Sequence, residues 1–272
     1  MTNIKTLAAI FVAAATFTAC SSESDNEITS QQILPNENYL LSVTATKGGG
    51  AEYTRALAIE DGKPNVIKAT WDHTTEHVYV KYQTGEAAYK WCQNALTPSA
   101  SGQTANLVGY LRGSDFQEGT KLKLFFPNNK NERTYEGQKG TLDDIAANFD
   151  YQESSELEIS GVTGNAIALK DLGGAVTFTP QQAIVKFYLK TSGGDFIPNF
   201  SKLSVIKGEE EIATVEGDNI SSDGVFVAIP GGSGSYRLVA TVGEVEYQCK
   251  TSVLTFTNGN YYIYNVMMSA GA

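Results

Sequence analysis

Two histidines, three methionines and three cysteines among 272 residues leave little raw material for a metal centre or a redox site. No CxxC pair and no Cys/His cluster occurs, so ligand spacing gives no sign of zinc or a disulfide oxidoreductase. No GxSxG elbow is present, and Gly231-Gly232-Ser233-Gly234 lacks the lysine and following helix of a phosphate loop. The chain also has no basic stripe. With a formal net charge of −10 and no such stripe to release phosphate counterions, nucleic acid is not an expected partner. That acidity suits a surface protein kept soluble. Carboxylates are abundant, but none is singled out as half of an acid and base pair.

What is plentiful points to β structure: 26 glycines, 14 tyrosines and 12 phenylalanines. The length suits one large or two ordinary domains. Residues 1–19 read as a processing segment, with Lys5 ahead of the apolar run Leu7–Phe17, which is too short to span a bilayer. The run closes on Phe17-Thr18-Ala19-Cys20. Small residues before a cysteine resemble the lipobox of bacterial lipoproteins, in which signal peptidase II cuts and the cysteine takes acyl chains; Phe17 stands where leucine is commoner. The alternative is an ordinary secretory signal with a chance cysteine. Ser21-Ser22-Glu23-Ser24-Asp25 resembles the signal that sends Bacteroidetes-type lipoproteins to the outer face of the outer membrane. Residues 20–38 form a polar tether. With Cys20 lipidated, Cys92 and Cys249 remain, and two buried free thiols are expected rather than an interdomain disulfide.

The body starts with two alternating apolar runs, Leu41–Thr46 and Ala56–Ile59, read as an opening strand pair. A flexible Gly48–Gly50 patch, followed by the basic Arg55, separates them. Strands are predicted at Val66–Ile67, His77–Tyr82, Ala88–Leu96, Leu107–Leu111 and Lys121–Phe126. A helix is predicted from Thr141, because Thr141 and Asp144 form a capping-box-like start and Leu142, Ile145, Ala146 and Phe149 share one face. It is too short to stand alone and must pack on a sheet. From Ala183 seven strands follow: Ala183–Leu189, Leu203–Ile206, Ile212–Val215, Val225–Ile229, Tyr236–Val242, Val245–Phe256 and Tyr261–Met268. That spacing predicts a sandwich. Gly231–Gly234 reads as a hairpin loop within this series. Two β-rich domains, 39–180 and 181–272, are expected.

His73-Thr74-Thr75-Glu76-His77 is a literal HxxEH, the inverzincin pattern. Its chemistry needs both imidazoles on one helical face. Here a β run follows at once, and on a strand the rings would lie roughly 13 Å apart, so a polar turn is expected instead of a zinc site. Trp71, Trp91, Tyr261, Tyr262 and Tyr264 are candidates for a glycan-binding platform, set against burial as core or cross-strand pairs.

An ordered set of stretches resembles the fimbrillin-type pilins (FimA/Mfa-like, type V pili) of Bacteroidales. They are the lipobox at Cys20, Tyr53-Thr54-Arg55-Ala56, Thr70-Trp71, Tyr135-Glu136-Gly137-Gln138 with Gly140-Thr141-Leu142-Asp143-Asp144-Ile145, Gln182-Ala183-Ile184-Val185-Lys186-Phe187, Val227-Ala228-Ile229-Pro230 and Gly259-Asn260-Tyr261-Tyr262. The resemblance implies an all-β fold with one short helix, arranged as two tandem transthyretin-like β-sandwich domains. It implies export as a lipoprotein to the cell surface with lipid on Cys20, no cofactor and no enzymatic activity. It also implies cleavage by an arginine-specific extracellular protease between Arg55 and Ala56, against the plain alternative of a solvated loop arginine. Cleavage frees Leu40–Thr46 and opens a groove that a strand of another fimbrial subunit fills, since exposed edge groups and an apolar groove are costly until a donor satisfies both. Only Ser269–Ala272 follow the last predicted strand, where stalk subunits of that family carry a donor extension, so a tip or accessory role in adhesion is expected. The alternatives are a membrane-held anchor and a glycan-binding lipoprotein of a nutrient-uptake system.

Overall fold

The computed structural model describes residues 38–48, 58–60, 63–113, 116–127 and 133–271. Strands dominate it. They are β1 (Asn38–Lys47), β2 (Ala58–Glu60), β3 (Lys63–Lys68), β4 (Val78–Gln83), β5 (Lys90–Pro98), β6 (Thr104–Arg112) and β7 (Lys121–Phe126). A short helix follows, with an α-helical turn α1 (Leu142–Asp144) running into a π-helical turn (Ile145–Phe149). Then come β8 (Gln152–Ser154), β9 (Leu157–Thr163), β10 (Ala166–Leu169) and β11 (Val176–Pro180). The last group is β12 (Ala183–Thr191), β13 (Phe200–Lys207), β14 (Glu210–Ile220), β15 (Asp223–Ile229), β16 (Gly232–Val242), β17 (Val245–Phe256) and β18 (Tyr261–Ala270). The described residues are thus all-β with one short helix, and their two large sheets are consistent with two tandem β domains.

The first sheet runs β10-β9-β7-β4-β5-β6-β1-β11-β8, with further pairings β10–β1 and β7–β8. Those extra pairings close it on itself. One closure passes from β7 through β8 and β11 to β1, the other from β7 through β9 and β10 to β1. Inside lies a core that includes Leu41, Val43, Trp71, Val78, Val80, Leu107, Leu122, Leu124, Ile159 and Phe178. Strict alternation builds it: in β4, Val78, Val80 and Tyr82 face in, while Tyr79, Lys81 and Gln83 are only partly covered.

The second sheet runs β14-β13-β16-β17-β18-β12-β15, with β12 and β18 parallel over eight residue pairs. Its core also takes in Tyr135, Ile145, Ala146, Phe149 and Tyr151, which precede the sheet in sequence. The predicted helix therefore has its sheet. Thr141 caps it by accepting from the Asp144 amide at 3.2 Å, and Asp144 in turn accepts from the Lys139 amide at 2.7 Å. After three residues of regular helix the chain widens into a π turn in which Ile145, Ala146 and Phe149 are buried together.

Three expectations need correction. The opening strands are not a pair: β1 pairs with β6, while β2 pairs with β3 as a separate two-stranded sheet. Gly232, Ser233 and Gly234 are not a hairpin loop but the start of β16, opposite Phe256, Thr255 and Leu254. A Cβ on Gly234 would lie 2.9 Å from Lys207 Cε, so a larger residue there would displace the lysine side chain that crosses it. Finally, β8 to β11 occupy a stretch in which no strand was predicted.

Candidate functional site

The strand on which both closures of the first sheet converge is β1. On one side it forms a long antiparallel ladder with β6, from Asn38 opposite Arg112 to Thr46 opposite Thr104. On the other side it is held only near its ends. Leu40 pairs in parallel with Ala166 of β10, and Ala45, Thr46 and Lys47 pair in parallel with Val176, Thr177 and Phe178 of β11. Between these contacts, Leu41 to Thr44 have no ladder partner on that side among the described residues. β1 lies inside the sheet, because β10 and β11 reach its second side.

Alternation sends Tyr39, Leu41, Val43 and Ala45 into the core and leaves Ser42 and Thr44 exposed. Tyr39 meets Phe116 edge to face, with ring centroids 4.9 Å apart. Burying side chains the size of Leu41 and Val43 contributes about 1.5–3 kcal/mol each. The strand is therefore held both by its ladder with β6 and by its buried face.

The same period of two puts Lys47 on the inward face, one step past Ala45. Its ammonium is sealed from solvent and donates to both carboxylate oxygens of Glu76, at 2.8 and 2.9 Å, with both side chains 0% exposed. It also lies 3.5 Å from the Thr70 carbonyl oxygen, 3.9 Å from the centroid of Phe126 and 4.7 Å from that of Trp71. Two aromatic faces and a bidentate carboxylate replace the water that the cation gives up. Such a pair gains little over an apolar filling, but losing one partner is expensive.

Glu76 is delivered by a tight turn. Asp72 Oδ1 accepts from the Thr74 amide at 2.9 Å and its hydroxyl at 2.6 Å, Asp72 Oδ2 accepts from the Thr75 hydroxyl at 2.8 Å, and the Glu76 amide donates to the Asp72 carbonyl at 3.1 Å. The Thr74 hydroxyl, with the Thr74 amide and the Thr75 hydroxyl, pulls the Asp72 carboxyl down to about 2. Just before the turn, Trp71 pairs with Gly102 through the main chain, and its indole N–H donates to the Ala45 carbonyl at 3.3 Å. Strand β1 is thus gripped at its C-terminal end by Trp71 and Glu76.

This arrangement absorbs the HxxEH sequence. Residues 73–75 form a turn, His73 Nδ1 bonds the Ser101 hydroxyl at 2.8 Å, and Glu76 points into the core. Among the described residues no group of three His, Cys, Asp or Glu side chains is placed to hold a metal. Trp71 is 1% exposed and packs edge to face on Phe126 and Phe178, which removes it as a glycan platform. Trp91 is half-buried, 5.2 Å from Phe125 and under the Lys81 ammonium at 4.4 Å. Tyr261 is buried, while Tyr262 and Tyr264 stack on each other and pack against Phe256. Cys92 is buried and Cys249 half-buried. Cys20, Arg55 and Ala56 lie outside the described residues.

A second constellation was not anticipated. The outer strands of the second sheet, β14 and β15, are both engaged by the segment Tyr135–Gly140. The Gln138 amide donates to Thr214 O at 3.0 Å and its carbonyl accepts from the Glu216 amide at 2.7 Å, while its buried side chain donates to Ala228 O and accepts from the Ala228 amide, at 2.8 and 2.7 Å. Sequence marked this stretch only as a motif; a buried glutamine beside two glycines was its one physical signal.

No protein-family model matches the chain, and no curated protein matches it in sequence. Among solved structures it is similar to a putative cell adhesion protein of Bacteroides ovatus, at 12% identity and a TM-score of 0.48, covering 86% of this chain and 96% of that one. It is also similar to a fimbrial assembly protein of Parabacteroides distasonis, at 11% identity and a TM-score of 0.41, covering 84% and 91%. A fimbrial protein of Bacteroides ovatus matches at 12% identity and a TM-score of 0.40, covering 85% of this chain and 49% of that one. With identities this low and TM-scores below 0.5, what the chain does has to be read from its own strands and side chains.

Proposed function

We propose that this chain is a cell-surface fimbrial subunit that takes part in adhesion and assembles by exchanging its first strand for a strand of another subunit. In this reading Cys20 carries the lipid that holds the precursor at the outer membrane. An arginine-specific protease cuts between Arg55 and Ala56, separating β1 and its tether from the body, which divides into domains near residue 180.

The observation that carries the reading is the placement of β1. Among the described residues it is bound along one side by β6 and only near its ends on the other, yet both closures of the first sheet pass through it. A competing strand could begin pairing on the unladdered stretch of β10–β11 side, opposite Leu41 to Thr44, before β1 has fully left. Cutting the loop alone would not empty the slot, since the buried apolar face and the β6 ladder remain; a replacement strand has to supply the same contacts.

Limited digestion of the full chain with an arginine-specific protease tests this. The expected product has Ala56 as its new N-terminus and keeps the β1 fragment bound until a competing strand is added. A chain that resists cleavage at Arg55 while folded, or that unfolds once cut, contradicts it.

A further inference from the structure

The slot that β1 occupies is not uniformly apolar. It offers Tyr39, Leu41, Val43 and Ala45 a hydrophobic wall and then, at its C-terminal end, a buried carboxylate between two aromatic rings. Backbone pairing is blind to side chains, and an apolar wall accepts many strands. A carboxylate with no solvent access is far more selective, because the occupant must neutralise it or leave a charge in low dielectric.

We propose that Glu76 is a selectivity filter for the incoming strand, which must be a segment of another subunit carrying a lysine-like cation at the position now held by Lys47, eight residues after an inward aromatic at the position of Tyr39. This rests on the strand-exchange reading and adds to it the chemistry of the partner. The spacing is fixed by the pleat: inward positions recur every second residue, so Tyr39 and Lys47 are separated by three inward apolar positions, and a one-residue slip would point the cation to solvent. The antiparallel register with β6 sets that alignment along the whole ladder. The filter also disfavours an obvious wrong occupant. The ten residues of β18, Tyr261–Ala270, contain no lysine or arginine, so a copy of that strand would leave Glu76 without its ammonium.

The test uses the full chain after arginine-specific cleavage, with two synthetic strands: NYLLSVTATK, the sequence of β1, and the same peptide with Lys47→Met. Exchange of the resident fragment for each labelled peptide is followed by native mass spectrometry. The Lys peptide is expected to bind at least about 100-fold more tightly than the Met peptide. On a Glu76→Leu chain that preference is expected to vanish or reverse. Should this variant not fold, the two peptides on the unaltered chain still decide the matter. If both peptides exchange with affinities within about threefold, strand exchange stands and the cation filter is overturned. If neither peptide exchanges, the strand-exchange reading fails and this inference fails with it.

Discussion

Lys47 on the first strand and Glu76 on the turn after Trp71 meet as a bidentate ion pair, at 2.8 and 2.9 Å, in a place neither side chain shares with water. The pair couples the end of a strand proposed to be removable to a turn that stays in the body. Lys47→Met in the intact chain is expected to destabilise it by about 3–5 kcal/mol, because the carboxylate keeps its burial and loses the cation. Adding Glu76→Leu should recover most of that loss. Denaturant unfolding of the two single variants and the double variant measures the coupling.

Trp71 is expected to behave as a core residue. Trp71→Ala removes edge contacts with Phe126 and Phe178, one of the rings over Lys47, and a hydrogen bond to the main chain of β1. A loss of about 3–5 kcal/mol is predicted from thermal or denaturant unfolding. Retained stability with altered glycan binding would return Trp71 to a surface role.

Gln138 closes the second sheet by binding both its outer strands. Gln138→Leu keeps the volume but leaves the Ala228 amide and carbonyl without side-chain partners, at a predicted cost of about 2–4 kcal/mol. Gly140→Ala is also expected to destabilise. At φ +76° a Cβ there would stand 2.7 Å from Val225 Cγ2 and 3.1 Å from Val215 Cγ1. Amide hydrogen exchange should show β14 and β15 opening first in both variants.

Alkaline pH should weaken the fold through buried phenols. Burial pushes Tyr135 up to about 12, so the folded state holds a proton that the unfolded chain gives up near 10. Its contribution is full below pH about 10 and is lost progressively as pH rises toward about 12, amounting to about 2–3 kcal/mol. Tyr135→Phe should flatten that decline while giving up one hydrogen bond to Gln181 O, worth about 1 kcal/mol. Tyr261 is likewise pushed up to about 12, but its buried hydroxyl has no hydrogen-bond partner among the described residues. Tyr261→Phe is therefore expected to be neutral or stabilising at pH 7. Unfolding curves at pH 7 and pH 11 distinguish the two tyrosines.

These residues also show what could be read in advance. Strands with clear apolar runs set off by turn residues, such as β4 and the series β12 to β18, were legible from period and turn residues. The helix was legible from its cap and apolar face. What escaped were β8 to β11, where short runs such as Leu157–Ile159 and Val176–Phe178 alternate for only a few residues. Without them the second side of β1 had no partner visible in the sequence. Lys47 escaped for a related reason. A lysine at the end of an apolar run is usually solvated, and only the turn that carries Glu76 to it, through contacts distant in sequence, makes burial tolerable. Parity alone would have placed Lys47 on the inward face, but not its partner.

The most direct test of the central claim is whether β1 can be replaced once its loop is cut. Full-length chain is cleaved at arginine, incubated with isotopically labelled NYLLSVTATK, and weighed under native conditions over time. The account predicts that the intact chain takes up no label, whereas the cleaved chain exchanges its resident strand and stays folded. A cleaved chain that never exchanges, or an uncut chain that exchanges equally well, would contradict it.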